Sequence, residues 1–420
     1  MKNFERRDFL KLAASAAALS AAGCATMAPA KGRVVVIGGG FGGATAAKYI
    51  RLWDPSIDVV LVERDPGFIS CPISNMVLGG YASFGDLMHG YDGLRRHGVQ
   101  VVHDEALAVD PAKKTVRLRS GEISYERLVV SPGLDFLFDQ IEGYQQAMNE
   151  GRVLHAWKAG PQTQALRRQL EGMRDGGVYL LSMSAAPYRC PPGPYERASV
   201  IAAYFKQHKP RSKVILLDEN PDVVSKGPLF KRAWAELYKG ILEYRSNSKV
   251  VGVDGRTGTI RLEFDTLKGD VLNVVPPSRA SDIAVQAGLI THNKRWCDVD
   301  WRTMESTVVK GVHVLGDSTL SAPAMPKSGS MANNHAKIAA AAVVASLNGR
   351  EPGAVKILNT CYSFVSQKEA IRVSSVHQWD ATQRTLVAVK GSGGVSAARS
   401  EAEGTFAWHW AKTIWADSLA

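Results

Sequence analysis

Residues 176–199 read GGVYLLSMSAAPYRCPPGPYERAS, an apolar run followed by a turn and the start of a helix. In a protein that binds two dinucleotides, this turn carries the second glycine-rich phosphate loop. Here it carries Arg189 and Cys190 together with Pro191, Pro192 and Pro194. The prolines remove amide donors and add bulk where a pyrophosphate needs bare backbone, so NAD(P)H has no evident site. A thiol stands there instead. Its place before a helix and beside Arg189 favours the thiolate, and Glu196 falls in the first turn of the same helix.

A second set of residues has the spacing of a nucleotide site. In RVVVIGGGFGGATAAKYIRLWDPSIDVVLVERD, Val34–Ile37 reads as a buried strand, Gly38-x-Gly40-x-x-Gly43 as the turn, Ala44–Leu52 as a helix and Val59–Val62 as a second strand. The glycines allow a tight turn and close approach of a pyrophosphate, which rests on the helix N-terminus. Glu63, about twenty residues beyond, is placed for the adenosine ribose hydroxyls. FAD rather than NAD is indicated by GVHVLGDSTLSAPAMPKSGSMANNHAKIAAAAVVASLNG, in which a strand ends at Gly316-Asp317 ahead of a long helix of small residues. Asp317 is then either a ribityl ligand, with the helix aimed at the isoalloxazine, or a simple turn residue. Lys327 lies just before that helix and could offset charge on a reduced flavin or be an ordinary surface lysine.

Positioning these groups calls for an α/β fold with two Rossmann-like domains of the glutathione-reductase type. The expected boundaries are residues 31–145 and 281–350 for a discontinuous FAD domain and 146–280 for a second domain without a nucleotide glycine loop. A C-terminal segment over 351–420 would carry Cys361 and a partner interface. Within the second domain, Gly177–Met183 reads as a strand, Tyr195–His208 as a helix and KVILLDE as another strand.

The 420 residues are 45% hydrophobic and 22% charged, which suits globular domains with real cores. The net charge is +11. It is spread along the chain with no basic helix interleaved with aromatics, which argues against nucleic acid and suits docking to an acidic protein. The first thirty residues combine an Arg6-Arg7 pair with a short Ala/Leu-rich run and an Ala28-Pro29-Ala30 cleavage site. They read as a twin-arginine export signal and imply a periplasmic protein folded around its cofactor before export. Ala21-Ala22-Gly23-Cys24 offers a lipoprotein anchor as the alternative. Of five cysteines none lies in a CxxCH, so no haem is expected on this chain, and no metal ligand set is expected either.

The stretches GGGFGGATAAKYIRLWDPSI, ISCPISNMVLGG, HGYDGLRRHGVQVVHD, HAWKAGPQTQALRRQLE, RCPPGPYERAS, AMPKSGSMAN and LNTCYS resemble the flavoprotein subunit of flavocytochrome c sulfide dehydrogenase, over about residues 33–365 and more loosely beyond. The resemblance implies that Cys71 is bonded to the flavin 8α-methyl and that Cys190 and Cys361 form a redox disulfide. It also implies that Glu196 is the acid/base beside them, and that hydrosulfide is oxidised to sulfane sulfur or polysulfide with electrons passing to a c-type cytochrome subunit. The residues by themselves leave alternatives open. Cys71 sits in a Gly/Pro/Ser loop able to reach a flavin but could be a buried structural thiol. A Cys190–Cys361 bridge could be purely structural, since closing a loop of about 170 residues stabilises a fold by several kcal/mol. Glu196 could be a helix N-terminal charge. Cys297, between Trp296 and Trp301, reads as a packed, inert thiol. The tail EGTFAWHWAKTIWADSLA, with Phe406, Trp408, Trp410 and Trp415, reads as a helix with two aromatic faces, one of them for the haem subunit. The rival activities are a sulfide:quinone reductase and a non-catalytic cytochrome-binding scaffold.

Overall fold

The computed structural model describes residues 31–420. The expected export signal and cleavage site, and Cys24, lie outside the described residues. The chain enters through β1 (Arg33–Ile37), turns into α1 (Phe41–Trp53) and returns as β2 (Asp58–Val62). Val34, Val35 and Val36 are wholly buried, as expected of a strand covered on both faces, where apolar residues run without alternation. β1 lies parallel between β2 and Arg127–Val130. Gln100–Val102 extends the sheet on one side, and Val312–Val314 extends it on the other, followed by two short antiparallel strands. Val312–Val314 returns from late in the chain, and its end delivers Gly316-Asp317 to the mouth of the first turn.

Between the two parts of this sheet the chain builds a second, parallel sheet in the order Val153–Leu154, Val271–Val275, β3 (Val178–Met183), β4 (Lys213–Asp218) and Leu242–Arg245. The crossover from β3 to β4 is α2 (Gly193–His208), and α3 (Gly227–Leu237) follows β4. Leu134–Phe136 and Ser278–Ala280 pair antiparallel where the chain leaves and re-enters the first sheet. Beyond α4 (Gly329–Leu347) come the long hairpin strands β5 (Lys356–Phe364) and β6 (Ala370–Asp380), then the terminal helix α5 (Glu401–Leu419). Among the described residues no helix is long and apolar enough to cross a membrane.

α5 corrects the expectation of two aromatic faces. Trp415 is buried and donates from its indole to Ser70 Oγ at 2.8 Å, while its ring packs 4.5 Å from His89. Trp408 packs near Phe364 and Trp410 near Tyr362. Three of the four aromatics therefore pack inside this chain, two on β5 and one on the first domain. Phe406, 54% exposed, is the aromatic turned to solvent.

Candidate active site

The turn between β1 and α1 is shaped by backbone contact. A Cβ on Gly43 would stand 1.8 Å from the carbonyl oxygen of Gly38, so no side chain fits there. Gly40 differs, because the nearest atom to a Cβ would be a Phe68 ring carbon at 3.9 Å. The protein leaves that space open, as close approach of a pyrophosphate requires. Glu63, at the end of β2, accepts hydrogen bonds from the amides of Gly39 at 2.6 Å and Asp65 at 2.9 Å, which fix its carboxylate at the rim of the turn.

From this turn a cavity of about 510 Å³ runs past Cys71 and Asp317 to Cys190, Glu196 and Cys361. Asp317 Oδ1 is buried without a hydrogen-bond partner, while Oδ2 lies 3.6 Å from Arg189. An orphaned buried carboxylate oxygen on a cavity wall is costly unless a donor meets it, and a polyol chain is such a donor. The cradle at Gly40 and the open oxygen of Asp317 together fit a bound FAD. Cys71 lines the same cavity from the loop after Phe68–Ile69. Its sulfur accepts from the Ala159 amide at 3.4 Å and faces the carbonyl of Trp157.

Cys190 sits late in the loop between β3 and α2, three residues before the helix, in the left-handed region at φ 58°, an uncommon conformation for a residue with a side chain. Its amide donates to Lys327 O at 2.8 Å, and its own carbonyl accepts from Gly193 at 2.8 Å. Pro191 and Pro192 thus lead directly into α2, and Glu196 in the first turn points inward. The Glu196 carboxylate accepts from Asn75 Nδ2 and from the Phe364 amide, each at 2.8 Å. Burial nevertheless raises its pKa above the usual carboxylate value. Cys361 comes from β5, with its sulfur 3.6 Å from Asn359 Oδ1. Asn359 is held by Ser328, the N-cap of α4. Cys190 and Cys361 are free thiols on the wall of the same cavity.

Two local expectations are corrected. Arg189 and the helix start do not by themselves make Cys190 a thiolate. Burial pushes its thiol far up, the Glu196 carboxylate pushes it further, and Lys226 and Arg189 offset only part of this. Lys327 does not line the cavity. Its ammonium donates to the backbone carbonyls of Asp317 and Thr319 and lies 3.9 Å from the centre of the Trp296 ring. It therefore braces the Asp317 loop from behind, whereas Arg189 is a cation on the cavity wall itself, tied to Asp317 and to the carbonyl of Trp157. Cys297 is fully buried, and burial raises its thiol to about 12.

Sequence reasoning did not single out Asn75, Arg197 or Lys226. Arg197 is 2% exposed and spends its guanidinium on Asn75, Asn273 and the carbonyls of His155 and Ala156. It joins the short helix Ser74–Gly79 of the first domain to the second sheet. Its neighbour Glu196 in the sequence was the available hint; for Asn75 and Lys226 nothing local marks the role. The amides that would meet a second nucleotide are also engaged, Ala185 by Glu219 and Ala186 by Asn220, each at 2.9 Å.

Residues 163–276 match the central domain of the sulfide dehydrogenase [flavocytochrome c] flavoprotein chain, and residues 354–419 match the flavocytochrome c sulphide dehydrogenase flavin-binding domain. Residues 32–171 match the pyridine nucleotide-disulphide oxidoreductases. The sulfide dehydrogenase [flavocytochrome c] flavoprotein chain of Chlorobaculum thiosulfatiphilum is 64% identical over 45 residues, which are 11% of this chain and 94% of that sequence. The chain belongs to the flavocytochrome c sulfide dehydrogenase flavoprotein family. The glutathione-reductase-type fold is shared more widely than the family. The mitochondrial sulfide:quinone oxidoreductase of Dictyostelium discoideum is 23% identical over 302 residues, covering 68% of this flavoprotein and 65% of that relative's length. The crystal structure of the sulfide:quinone oxidoreductase of Aquifex aeolicus superimposes with a TM-score of 0.76 at 17% identity, covering 92% of this chain and 91% of that one.

Proposed function

We propose that this flavoprotein is an exported sulfide dehydrogenase that oxidises hydrosulfide at a Cys190–Cys361 disulfide and passes the electrons to a c-type cytochrome subunit. The observation that carries the reading is the meeting of both cysteines and Glu196 on one cavity with Cys71 and the nucleotide turn. Bound flavin would supply the two-electron acceptor that can hand electrons on one at a time. The protein's residues do the rest. Gly38, Gly40, Gly43, Glu63 and Asp317 hold the cofactor, and Cys71 tethers it. Hydrosulfide attacks one sulfur of the disulfide; the S–S bond breaks, a persulfide forms on that cysteine, and the other cysteine leaves as thiolate with the electron pair. Glu196, with its raised proton affinity, takes the proton released as sulfur is transferred. The persulfide's outer sulfur departs to a second hydrosulfide, and loss of two electrons from the thiolate pair closes the disulfide again.

Engagement of the Ala185 and Ala186 amides supports a site that takes no NAD(P)H. The outward Phe406 and the net positive charge, +9 once residues 1–30 with their net +2 are removed, support docking of an acidic haem subunit near α5. The deciding experiment is anaerobic titration of the purified protein with sulfide. Flavin bleaching, followed by reduction of a co-purifying cytochrome, is the expected course. Reduction by NADH, or no bleaching by sulfide, overturns it. The fold likeness to sulfide:quinone oxidoreductases favours a second reading, in which the electrons go to a quinone. Faster reoxidation by a soluble quinone than by the cytochrome would select it.

Two variants test individual residues. Cys71→Ser should still bind FAD through the glycine turn and Glu63, but acid precipitation should release the flavin, which stays with the precipitate in the unaltered protein. Flavin that remains covalent in Cys71→Ser removes the assignment. Glu196→Gln should slow turnover about a hundredfold and abolish one limb of its pH profile. Unaltered kinetics would leave Glu196 as a charge at the start of α2.

A further inference from the structure

Lys226 stands behind the thiol site, outside the cavity wall. It precedes α3 with a left-handed backbone, φ 59°, and its side chain runs inward until the residue is 7% exposed. There Nζ donates to Ser363 Oγ at 2.8 Å, Ile371 O at 3.3 Å and the carbonyl of Cys361 itself at 3.4 Å. The Phe230 ring lies 5.8 Å away. All of these partners are neutral, and an ammonium buried among neutral groups is costly unless a negative charge answers it.

Four groups within reach of its field can carry that charge: Cys361 on β5, Cys190 before α2, Glu196 on α2 and Glu403 on α5. Glu403 faces a cation of its own, Arg372 on β6. Glu196 keeps its charge, since Asn75 and the Phe364 amide are neutral donors, and it opposes a thiolate on either cysteine. Lys226 is the strongest favourable neighbour of both sulfurs. Cys361 is the one whose residue the ammonium touches, through its carbonyl, and Ser328 and Asn359 favour that thiolate further.

We propose that Lys226 is a positioning residue of the sulfur centre, the buried cation that holds Cys361 as a thiolate whenever the pair is reduced. The inference rests on the reading of Cys190 and Cys361 as a redox pair. Burial lowers the pKa of Lys226 to about 8, so its ammonium supports the thiolate at neutral pH and loses its proton as pH rises through that value.

The test is the iodoacetamide alkylation rate of Cys361 in the dithiothreitol-reduced holoprotein, read by peptide mass between about pH 6 and 10, where thiols titrate. In Lys226→Met the Cys361 profile should move up by about one pH unit or more, which is roughly tenfold slower alkylation at neutral pH. Lys226→Arg should restore it, and the unaltered protein should lose its advantage over Lys226→Met above about pH 8. Lys226→Gln, with a neutral hydrogen-bonding chain, replaces the Met variant if that one does not fold. An unshifted Cys361 profile in a folded neutral variant, or a shift of Cys190 alone, overturns the inference. Peptide mapping of the unreduced protein reads the bridge separately. Without a Cys190–Cys361 bridge the redox-pair reading fails; with the bridge present and Cys361 unshifted, only the role of Lys226 fails.

Discussion

Replacing Cys190 or Cys361 with Ser abolishes sulfide-driven bleaching of the flavin, while dithionite still bleaches it fully. Each thiol lines the cavity that also holds Cys71, so removing either sulfur leaves nothing for hydrosulfide to open. Loss of one member of a group that acts as a unit costs about as much as loss of all, so the rate should fall by roughly three orders of magnitude or more. Retained dithionite reduction separates lost sulfur chemistry from lost cofactor. Full sulfide turnover in either variant, with a lowered melting temperature, would return the pair to a structural bridge whose worth lies in chain entropy.

Gly43→Ala yields a protein without flavin. The added methyl would stand 1.8 Å from Gly38 O, a backbone atom that cannot rotate aside, so β1 and α1 must separate or the turn must open. Overpacking of this kind typically costs about 1–3 kcal/mol, occasionally more. Set against cofactor binding, the upper end is about a hundredfold in affinity. The ratio of flavin to protein absorbance in the purified variant measures it. Gly40→Ala provides the contrast: its Cβ meets no protein atom closer than 3.9 Å, so the apoprotein should fold normally and lose affinity only through the space the pyrophosphate needs. A fully flavinated Gly43→Ala protein would show that the turn is not the phosphate cradle.

What the sequence determined by itself was chemistry contiguous along the chain. β1, the glycine turn, α1 and Glu63 form one strand–helix–strand unit whose backbone demands appear as residue types at fixed spacing, and the structure builds that unit from Arg33 to Val62. The same holds for the β3–α2–β4 unit and its proline-filled turn, because the prolines act on their own backbone. Only the tertiary structure decided what surrounds each functional group. Lys327 sits in a motif suited to the flavin side, yet carbonyls ten and eight residues away in the chain and the ring of Trp296 claim its ammonium. Arg189 and a helix start argue locally for a Cys190 thiolate, yet burial against Glu196 outweighs both, since desolvation depends on every element packed around the sulfur. Trp415 reads as a candidate interface residue, and its partner Ser70 lies 345 residues earlier. Lys226 precedes α3 in a stretch without any motif; it meets Ser363 on β5 and the carbonyl of Ile371 on β6, 137 and 145 residues further along the chain, and long-range packing of this kind leaves no periodicity or spacing in the sequence.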